Sequence, residues 1–458
     1  MAARKTGYVS DVLYTRHFVP WMAPARLDLA ALSFGVEPPD RREGFAWCEL
    51  GCGYADTGTV LAATHPKGIF HGIDLIPANI QAARRLSARA GIANQVLHAL
   101  DFAQAIDRRL PKFDYIVAHG VYSWIEDASR HDFRRFIDRH LTPGGLVALS
   151  YNAMPGWASD QVFQYLVRAI AASAAGKSPA RYRAAEAVVR RLLEAGAPAL
   201  KNSPLVTTGL RELHKLSHPA YFPLEYLQPG WRAFYVTEMR EQMAEIGLEP
   251  VGSADLVQSF DSFVLRRAWR DALAEIAEPG LRELARDYFL NQGLRTDVFG
   301  RGGKRIADPE RRRRLMACVF SLTRPAPLVE YKLPTVAGMS RFDNPAARSV
   351  VASLAGGPRS LAEIAADTTL PKQSMLANAL ALSAAGAIRP VGPGAASVVA
   401  LNKALSKLGK SFASRPYVAM SAGTAIELAP EVWRHLWHRG ALPKRLAPWR
   451  AFLTRHLS

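Results

Sequence analysis

The fold of this chain is decided by the stretch WCELGCGYA, residues 47–55. A short apolar run leads directly into glycines at positions 51 and 53, and a helical pattern begins at residue 56. Glycine lets the backbone turn tightly and lets a ligand approach without meeting a Cβ atom. The first N–H groups of the following helix have no partner inside that helix. The stretch therefore predicts a buried strand that ends in a ligand-binding turn.

Strand and helix patterns continue to alternate after this stretch. Strands are predicted at residues 45–50, 69–74, 96–100, 113–118 and 146–151, with helices at 56–64, 77–90 and 130–140. This alternation is typical of an α/β fold, in which a parallel Rossmann-like sheet carries helices on both faces. Ligands of such sheets bind beyond the carboxyl ends of the strands, where the strand order reverses.

The rest of the chain suggests further regions around this core of residues 1–155. Residues 156–230 predict a helical insertion, with breaks at three prolines. Residues 231–268 predict a helix at 231–246 and two strands, at 247–251 and 262–265, that complete the sheet. Residues 269–340 predict a helical, arginine-rich linker region.

The C-terminal region, residues 341–458, has a different pattern. Helices are predicted at residues 360–366 and 371–385, and strands at 387–390 and 398–401 around a Gly-Pro-Gly turn. A helix, a turn, a second helix and a hairpin are typical of a winged-helix-like domain. We therefore expect a mainly α C-terminal region that contains such a domain.

Composition places the chain among globular proteins of several domains. Its 458 residues are 49% hydrophobic and 21% charged, which disfavours disorder. No apolar run reaches the roughly 18 residues of a membrane span, and no apolar signal core follows the N-terminus. Three cysteines are too few for a disulfide framework or a zinc site. A cytoplasmic location with no membrane span and no metal is expected.

Positive charge is concentrated near the C-terminus. The net charge is +18, and residues 331–458 hold 16 basic and 5 acidic residues. Such a surface attracts an anionic partner such as nucleic acid, although a solvated arginine-rich face explains the same composition. The predicted helix at 371–385 offers Lys372, Gln373 and Asn378 and then mostly Ala and Leu, which disfavours base contacts. Nucleic acid is therefore not the expected partner, whereas a second copy of the chain, docked through this region, is compatible with it.

Acidic residues follow three successive predicted strands. Glu49 stands two residues before Gly51, which favours a cationic amino-acid ligand over the diphosphate of a dinucleotide. Asp74 ends the second strand, where a carboxylate can accept hydrogen bonds from both ribose hydroxyls. Asp101 follows the third strand and can accept from an adenine amino group. The expected cofactor contacts also include neighbours of these residues: Cys52, Gly53, Leu75 and Phe102. An NAD-type enzyme is the alternative, disfavoured because Ala55 replaces the third glycine.

The chain resembles class I methyltransferases, and more narrowly the bacterial ones that carry a methyltransferase regulatory domain. The rickettsial protein-lysine methyltransferases that modify outer-membrane proteins belong to this group. The matching stretches are ELGCG at 49–53, HGVYSWI at 119–125, SYNAMPGW at 150–157 and EYLQPGW at 225–231. The resemblance covers roughly residues 8–300, with the regulatory region at about 218–300. The chain departs from the family at Ala55, Thr57 and Leu224.

This resemblance implies S-adenosylmethionine as the cofactor and methyl transfer as the reaction. The loop after the fourth strand then borders the methyl group, and His119 is a candidate general base, a contact to the cofactor or a residue that fixes the loop. Tyr122 and Trp124 are candidates for a slot that takes a lysine chain, with plain loop packing as the alternative. Tyr151 is a candidate substrate contact. Tyr14 belongs to an N-terminal segment expected to close over the cofactor.

The residues and the resemblance are compatible with three functions. The first is a protein methyltransferase, acting on lysine nitrogen, whose C-terminal regions recognise the substrate. The second is a small-molecule methyltransferase of a biosynthetic pathway, because the core does not encode the acceptor. The third, from another class, is a nucleic-acid-binding regulator that uses the basic C-terminal domain.

Overall fold

The computed structural model describes residues 8–12, 15–210, 221–392, 398–408, 416–437 and 446–456. Its N-terminal part is built on a seven-stranded sheet with the order β3-β2-β1-β4-β5-β7-β6. The strands are β1 (Phe45–Leu50), β2 (Gly68–Asp74), β3 (Gln95–Ala99), β4 (Phe113–Ala118), β5 (Leu141–Asn152), β6 (Glu249–Ser253) and β7 (Leu294–Gly300). β1 to β5 run parallel, and β7 is antiparallel to both β5 and β6. The predicted α/β, Rossmann-like sheet is confirmed.

Helices cover both faces of this sheet. All six residues of β1 are buried, and side chains alternate along a strand, so Trp47 packs into one apolar core while Cys48 and Leu50 pack into another. The N-terminal helices are α1 (Pro24–Ser33), α2 (Asp56–Thr64), α3 (Pro77–Ala90), α4 (Phe102–Ile106) and α5 (Asp127–His140). The strand order reverses between β1 and β4, which is where such sheets bind ligands.

The segment between β5 and the last part of the sheet, where a helical insertion was expected, contains four helices and a π-helical turn among the residues that the structure describes. Its elements are α6 (Gln161–Ser173), α7 (Ser178–Glu194), α8 (Pro198–Lys201), a π-helical turn (Leu205–Gly209) and α9 (Tyr221–Tyr226). They have an apolar core of their own, in which the rings of Tyr182 and Phe222 stack with centroids 5.5 Å apart. The insertion is therefore a packed unit attached to the sheet.

The completion of the sheet differs from the prediction in one strand. After α10 (Val236–Ala244) and β6 come α11 (Asp261–Val264), α12 (Arg267–Ala274) and α13 (Pro279–Leu290), and only then β7. The predicted strand at 262–265 is wrong, because that segment lies in and beside α11. β7 has no apolar alternation, since Arg295, Thr296 and Asp297 are consecutive buried polar residues. Their ion pairs and hydrogen bonds replace the apolar contacts from which a strand is normally predicted.

The region expected to be a helical linker, 269–340, contains strands as well as helices. β7 lies within it, followed by α14 (Asp308–Ala317), β8 (Val319–Leu322), β9 (Lys332–Thr335) and β10 (Gly338–Arg341). β9 and β10 form a hairpin. The helical prediction for this region is therefore correct only for α12, α13 and α14.

The C-terminal region is mainly helical and packs on the core of the seven-stranded sheet. Its elements are α15 (Pro345–Leu354), β11 (Arg359–Ser360), α16 (Leu361–Ala366), α17 (Lys372–Ala384), β12 (Ile388–Pro390), α18 (Val399–Ser406), β13 (Tyr417–Met420), β14 (Thr424–Glu427), α19 (Pro430–Trp437) and α20 (Ala447–His456). β8 lies between β11 and β12 in one small sheet. One apolar cluster runs from Trp47 of β1 to Tyr417 of β13.

The strand predicted at 398–401 is wrong, because this segment begins α18. Leu401, Ala404 and Leu405 are buried on one helical face, which is helical spacing. Asn402 also bonds both backbone groups of Ala419, at 2.9 and 2.8 Å. Within the described residues, no helix is long and apolar enough to cross a membrane.

Candidate functional site

A cleft with an empty volume of about 980 Å³ opens at the carboxyl ends of β1 to β4. Its walls come from the glycine turn after β1, the loops after β2, β3 and β4, and the insertion at Leu224 and Gly230. The predicted residues on its lining are Gly51, Gly53, Asp74, Leu75, Asp101, Phe102, His119 and Trp124. A smaller pocket adjoins it through shared residues and is lined by Glu49, Cys52 and Asp56 among others. Tyr14 lies outside the described residues.

The turn after β1, which we call the glycine turn (residues 51–53), has a left-handed backbone at both of its glycines. Gly51 has φ of +72° and Gly53 has φ of +52°. A Cβ on Gly51 would lie 2.4 Å from Cγ2 of Val121, whereas a Cβ on Gly53 would meet nothing within 4 Å. Gly51 is therefore required by packing, while Gly53 leaves space at the cleft. Ala55 also has a positive φ, +51°, although side chains disfavour it.

The Asp74 carboxylate is fixed by the backbone around it. It accepts hydrogen bonds from Gly53 N and Ile76 N, each at 2.8 Å, and from Asn79 Nδ2 at 3.4 Å. Burial raises the pKa of Asp74, and these donors oppose that rise. Asn79, which sequence reasoning missed, also lines the cleft and holds a buried Oδ1 without a partner among the described residues.

Glu49 is a buried carboxylate that forms no ion pair with the residues the structure describes. Its side chain is 6% exposed, and Oε2 has no hydrogen-bond partner in the described part of the chain. Burial, and then the nearby Asp56 and Asp74, raise the pKa of Glu49 well above its usual range. A bound cation would oppose this rise, because it stabilises the ionised carboxylate.

Asp101 and Phe102 lie at the far end of the cleft from Glu49 along the strand order. Asp101 begins α4 with a capping box, in which its Oδ1 accepts from Gln104 N at 2.7 Å. Phe102 packs edge-on against Phe133, with centroids 5.4 Å apart. With Leu75 and Leu100 they form a wall of mixed apolar and acidic character.

His119 is held by a serine at the end of β5. Ser150 Oγ accepts from Gly120 N at 2.9 Å and lies 2.7 Å from His119 Nδ1. The hydroxyl has one proton and two lone pairs, so the direction of its hydrogen bond with Nδ1 depends on which nitrogen of the ring is protonated. Burial, and then His17, lower the pKa of His119 to about 3. The ring is therefore neutral near pH 7. Ser150 itself was not predicted.

Two predicted tyrosines do not line the cleft. The Tyr122 hydroxyl donates to Gln242 Oε1 at 2.5 Å and accepts from Arg134 at 2.8 Å. The Tyr151 hydroxyl donates to Asp297 Oδ2 at 2.6 Å. Both side chains are almost completely buried. The expected substrate contacts of Tyr122 and Tyr151 are therefore corrected: both residues pack the core behind the cleft.

Trp124 does line the cleft, in an apolar cluster with Val12 and Leu224. Behind it lies Glu225, a buried carboxylate that accepts from Asn152 Nδ2 at 2.9 Å and Trp231 Nε1 at 3.3 Å, with Trp124 also bonded to it. Burial raises the pKa of Glu225. This residue joins the insertion to the loop after β4. Its stretch carried a family match, but no local pattern showed where its side chain lies.

The smaller pocket is bordered by a buried ion pair between the N-terminal segment and α2. Arg16 NH1 lies 2.6 Å from Asp56 Oδ1, and the Arg16 guanidinium is 4.2 Å from the centroid of the Tyr54 ring. Burial raises the pKa of Asp56, against the charge of Arg16 and the hydroxyl of Tyr417. Residues from three distant parts of the chain therefore meet beside the glycine turn.

Comparison with known proteins agrees with this geometry. A methyltransferase domain model matches residues 48–147, and a predicted methyltransferase regulatory domain matches residues 218–301. An uncharacterized protein of Synechocystis sp. is 32% identical over 362 residues, which are 79% of this chain and 71% of the relative. An uncharacterized protein of Rickettsia prowazekii is 33% identical over 156 residues, covering 34% of this chain and 62% of that protein.

A solved structure shares the fold over nearly the whole chain. It is PKMT2 from Rickettsia typhi in complex with AdoHcy, with a TM-score of 0.68 and 18% identity, covering 92% of this chain and 88% of that one. The chain belongs to the class I S-adenosylmethionine-dependent methyltransferases that carry a methyltransferase regulatory domain. It is an enzyme of methyl transfer, and its cofactor is S-adenosylmethionine.

Proposed function

We propose that this enzyme methylates the side-chain amine of a lysine in a protein, with its cofactor held in the cleft described above. The observation that carries the cofactor site is the unpartnered Oε2 of Glu49 in a buried setting, which suits the cationic amino-acid end of S-adenosylmethionine. Asp74 would accept hydrogen bonds from the ribose hydroxyls, and Asp101 would accept one from the adenine amino group. Leu75 and Phe102 would pack against the adenine ring. The sulfonium supplies the electrophilic methyl group when bound.

His119 acts, in this proposal, as a positioning residue rather than as a general base. A base needs a pKa near the working pH, whereas the pKa of His119 is lowered to about 3. Its Nδ1 lies 2.7 Å from Ser150 Oγ, and we propose that this hydroxyl donates to Nδ1, so that Nε2 carries the proton of the ring and is a donor. The ring therefore orients a neighbouring acceptor and fixes the loop after β4.

Deprotonation of the acceptor follows from its surroundings. Val12, Trp124 and Leu224 give one side of the cleft an apolar surface. Desolvation of an ammonium group in such surroundings lowers its pKa, and the aromatic face of Trp124 still favours the cation on its way in. The amine of a lysine on a flexible stem suits this arrangement. The name of the rickettsial neighbour, PKMT2, agrees with a protein acceptor.

For the C-terminal region we propose a winged-helix-like unit that contacts protein. The order α15, β11, α16, α17 and β12 supports that architecture. In α17, Met375, Ala379 and Leu382 are buried, and Arg26 of α1 donates to Ser383 at 2.9 Å. A helix covered in this way is not available to a DNA groove, which disfavours the nucleic-acid-binding regulator. A homodimer through this region and a cytoplasmic location remain predictions.

The acceptor is tested by incubating the enzyme with methyl-labelled S-adenosylmethionine and a lysate of cells. We expect label in protein, at lysine after hydrolysis, and its loss in the Asp74→Asn variant. Label confined to small molecules would favour the biosynthetic alternative. Absence of label in every fraction, with cofactor bound, would contradict a catalytic role.

A further inference from the structure

A second cavity lies along the β6–β7 edge of the sheet. Its empty volume is about 1900 Å³, and it shares no lining residue with the cleft. It is bounded by β6, β7, α11, α12 and α13. All of its lining residues except Phe34 and Arg305 fall within residues 218–301, the part that matches the predicted regulatory domain. We name it the arginine cavity, after the six arginines that line it: Arg240, Arg270, Arg282, Arg286, Arg295 and Arg305.

The arginine cavity has more positive than negative charge. Its lining holds three carboxylates, those of Asp261, Glu283 and Asp297. All three form ion pairs with two of the arginines. Arg286 pairs with Asp261 at 2.9 Å, and Arg295 pairs with both Glu283 and Asp297. The other four arginines have no ion pair within 4 Å in the part of the chain that the structure describes.

Two of those four guanidinium groups also lack a hydrogen bond to any residue that the structure describes. The guanidinium of Arg282 donates to the carbonyls of Ile276 and Ala277, and that of Arg305 to the carbonyl of Phe34. The guanidinium groups of Arg240 and Arg270 make no hydrogen bond to any described residue, although Glu278 and Glu283 lie near enough to Arg240 to interact through charge. Positive charges gathered around one concavity produce a potential that attracts an anion.

We propose that the arginine cavity binds a small organic anion with two or more oxyanion groups, a phosphate ester or a polycarboxylate. Planar guanidinium groups match such oxygens through paired, charge-assisted hydrogen bonds. The rings of Phe34 and Phe260 on the same lining provide an apolar surface for the carbon part of the ligand.

The cavity is connected to the cleft through β5. Asp297, on the cavity lining, accepts from the Tyr151 hydroxyl at 2.6 Å. On either side of Tyr151 are Ser150, which holds His119, and Asn152, which holds Glu225. An anion that competes with Asp297 for Arg295 therefore acts on the strand that positions the cleft. We expect it to change the KM for the cofactor, and this second part rests on the proposed function.

Binding is measured on the full chain by calorimetry at constant ionic strength, with inorganic pyrophosphate and citrate as separate probes. Saturable binding of one probe per chain is expected, and which probe binds distinguishes phosphate from carboxylate. Replacing Arg240 and Arg270 by glutamine should weaken binding about ten-fold or more. The control is Arg312→Gln, an exposed arginine of α14 outside the cavity, which should bind like the unmodified protein.

Folding of the variants is checked by their affinity for S-adenosylhomocysteine, which the double replacement should leave unchanged. If that double variant does not fold, Arg270→Gln alone, on an exposed guanidinium, carries the test. Absence of saturable binding of both probes, or equal weakening in Arg312→Gln, would overturn the proposal. Because binding is read without methyl transfer, this result is independent of the acceptor and of the reaction.

Discussion

Ser150 Oγ bonds both Gly120 N and His119 Nδ1, at 2.9 and 2.7 Å, so one hydroxyl fixes the turn at which β4 leaves the sheet. Removing the hydroxyl in Ser150→Ala leaves a partly buried N–H without its acceptor, a loss of about 1–3 kcal/mol. We expect lower cofactor affinity and lower turnover in this variant. Ser150→Thr, which keeps the hydroxyl, should restore part of both.

The same relationship predicts how His119 variants depend on pH. Because the pKa of His119 is lowered to about 3, its titration should not appear in the rate between pH 6 and 8. The His119→Asn variant should lose activity by a constant factor across this interval. A loss that grows or disappears with pH would instead show that His119 acts as a general base.

Asp74→Asn should weaken binding of S-adenosylhomocysteine about ten-fold or more, because the ribose hydroxyls lose a charged acceptor. The amide also places an NH₂ group beside the N–H groups of Gly53 and Ile76. The control is Asp107→Asn, an exposed residue after α4, which should bind the ligand normally. Calorimetric titration of both variants makes the comparison. Equal affinities would exclude the proposed ribose contact.

The two glycines of the turn should respond differently to alanine. Gly51→Ala places a Cβ 2.4 Å from Val121 Cγ2 and should lower the thermal midpoint strongly. Gly53→Ala meets no atom within 4 Å and costs about 1–2 kcal/mol for its left-handed backbone. Its main effect should be on cofactor affinity, because its Cβ occupies ligand space. Thermal unfolding and ligand titration separate the two effects.

Glu225→Gln should weaken acceptor binding more than cofactor binding. The amide NH₂ would replace one of the two carboxylate oxygens, so that at least one donor among Asn152, Trp231 and Trp124 would face an N–H group instead of an acceptor, which costs about 1–3 kcal/mol. Kinetic assays should show a raised KM for the acceptor with little change in the KM for the cofactor. Glu241→Gln, on the exposed side of α10, is the matched control. Equal effects on both KM values would contradict the assigned role.

His65 predicts a loss of stability in acid. Burial lowers its pKa to about 4 from an ordinary 6.5, so the unfolded chain binds its proton more readily. Its contribution is complete above pH 6.5 and is lost as pH falls towards 4, about 2 kcal/mol between pH 7 and 5. Urea unfolding at pH 7 and pH 5 should show a smaller decrease in the free energy of unfolding for His65→Gln than for the unmodified protein. The exposed His131→Gln should leave the decrease unchanged.

The fold and the positions of Asp74 and Asp101 in the cleft could be predicted from the sequence because both depend on local patterns. Apolar periodicity located β1 to β5, and Asp74 and Asp101 lie at strand ends where parallel topology brings them together. β7 escaped prediction because Arg295 and Asp297 are buried through ion pairs rather than through apolar contacts. The spacing of apolar residues does not indicate a strand whose buried side chains are charged and paired with each other.

Side-chain direction explains the remaining errors. Tyr122 and Tyr151 stand in loops and strand ends near the cleft, but their hydroxyls reach Gln242 and Asp297 instead. Glu225 reaches the cleft region from the insertion, far along the chain from the strands that it contacts. Such partners are set by tertiary packing, which no window of sequence contains.

The buried meeting of Arg16, Asp56 and Tyr417 beside the glycine turn has a consequence for biosynthesis. During translation, α2 leaves the ribosome long before β13, with which it shares an apolar cluster. Long-range contacts of this kind slow folding, because a long loop must close before they form. The surroundings of the turn are therefore completed only after β13 has been synthesised, and a nascent chain that lacks β13 holds Asp56 without one of its native neighbours.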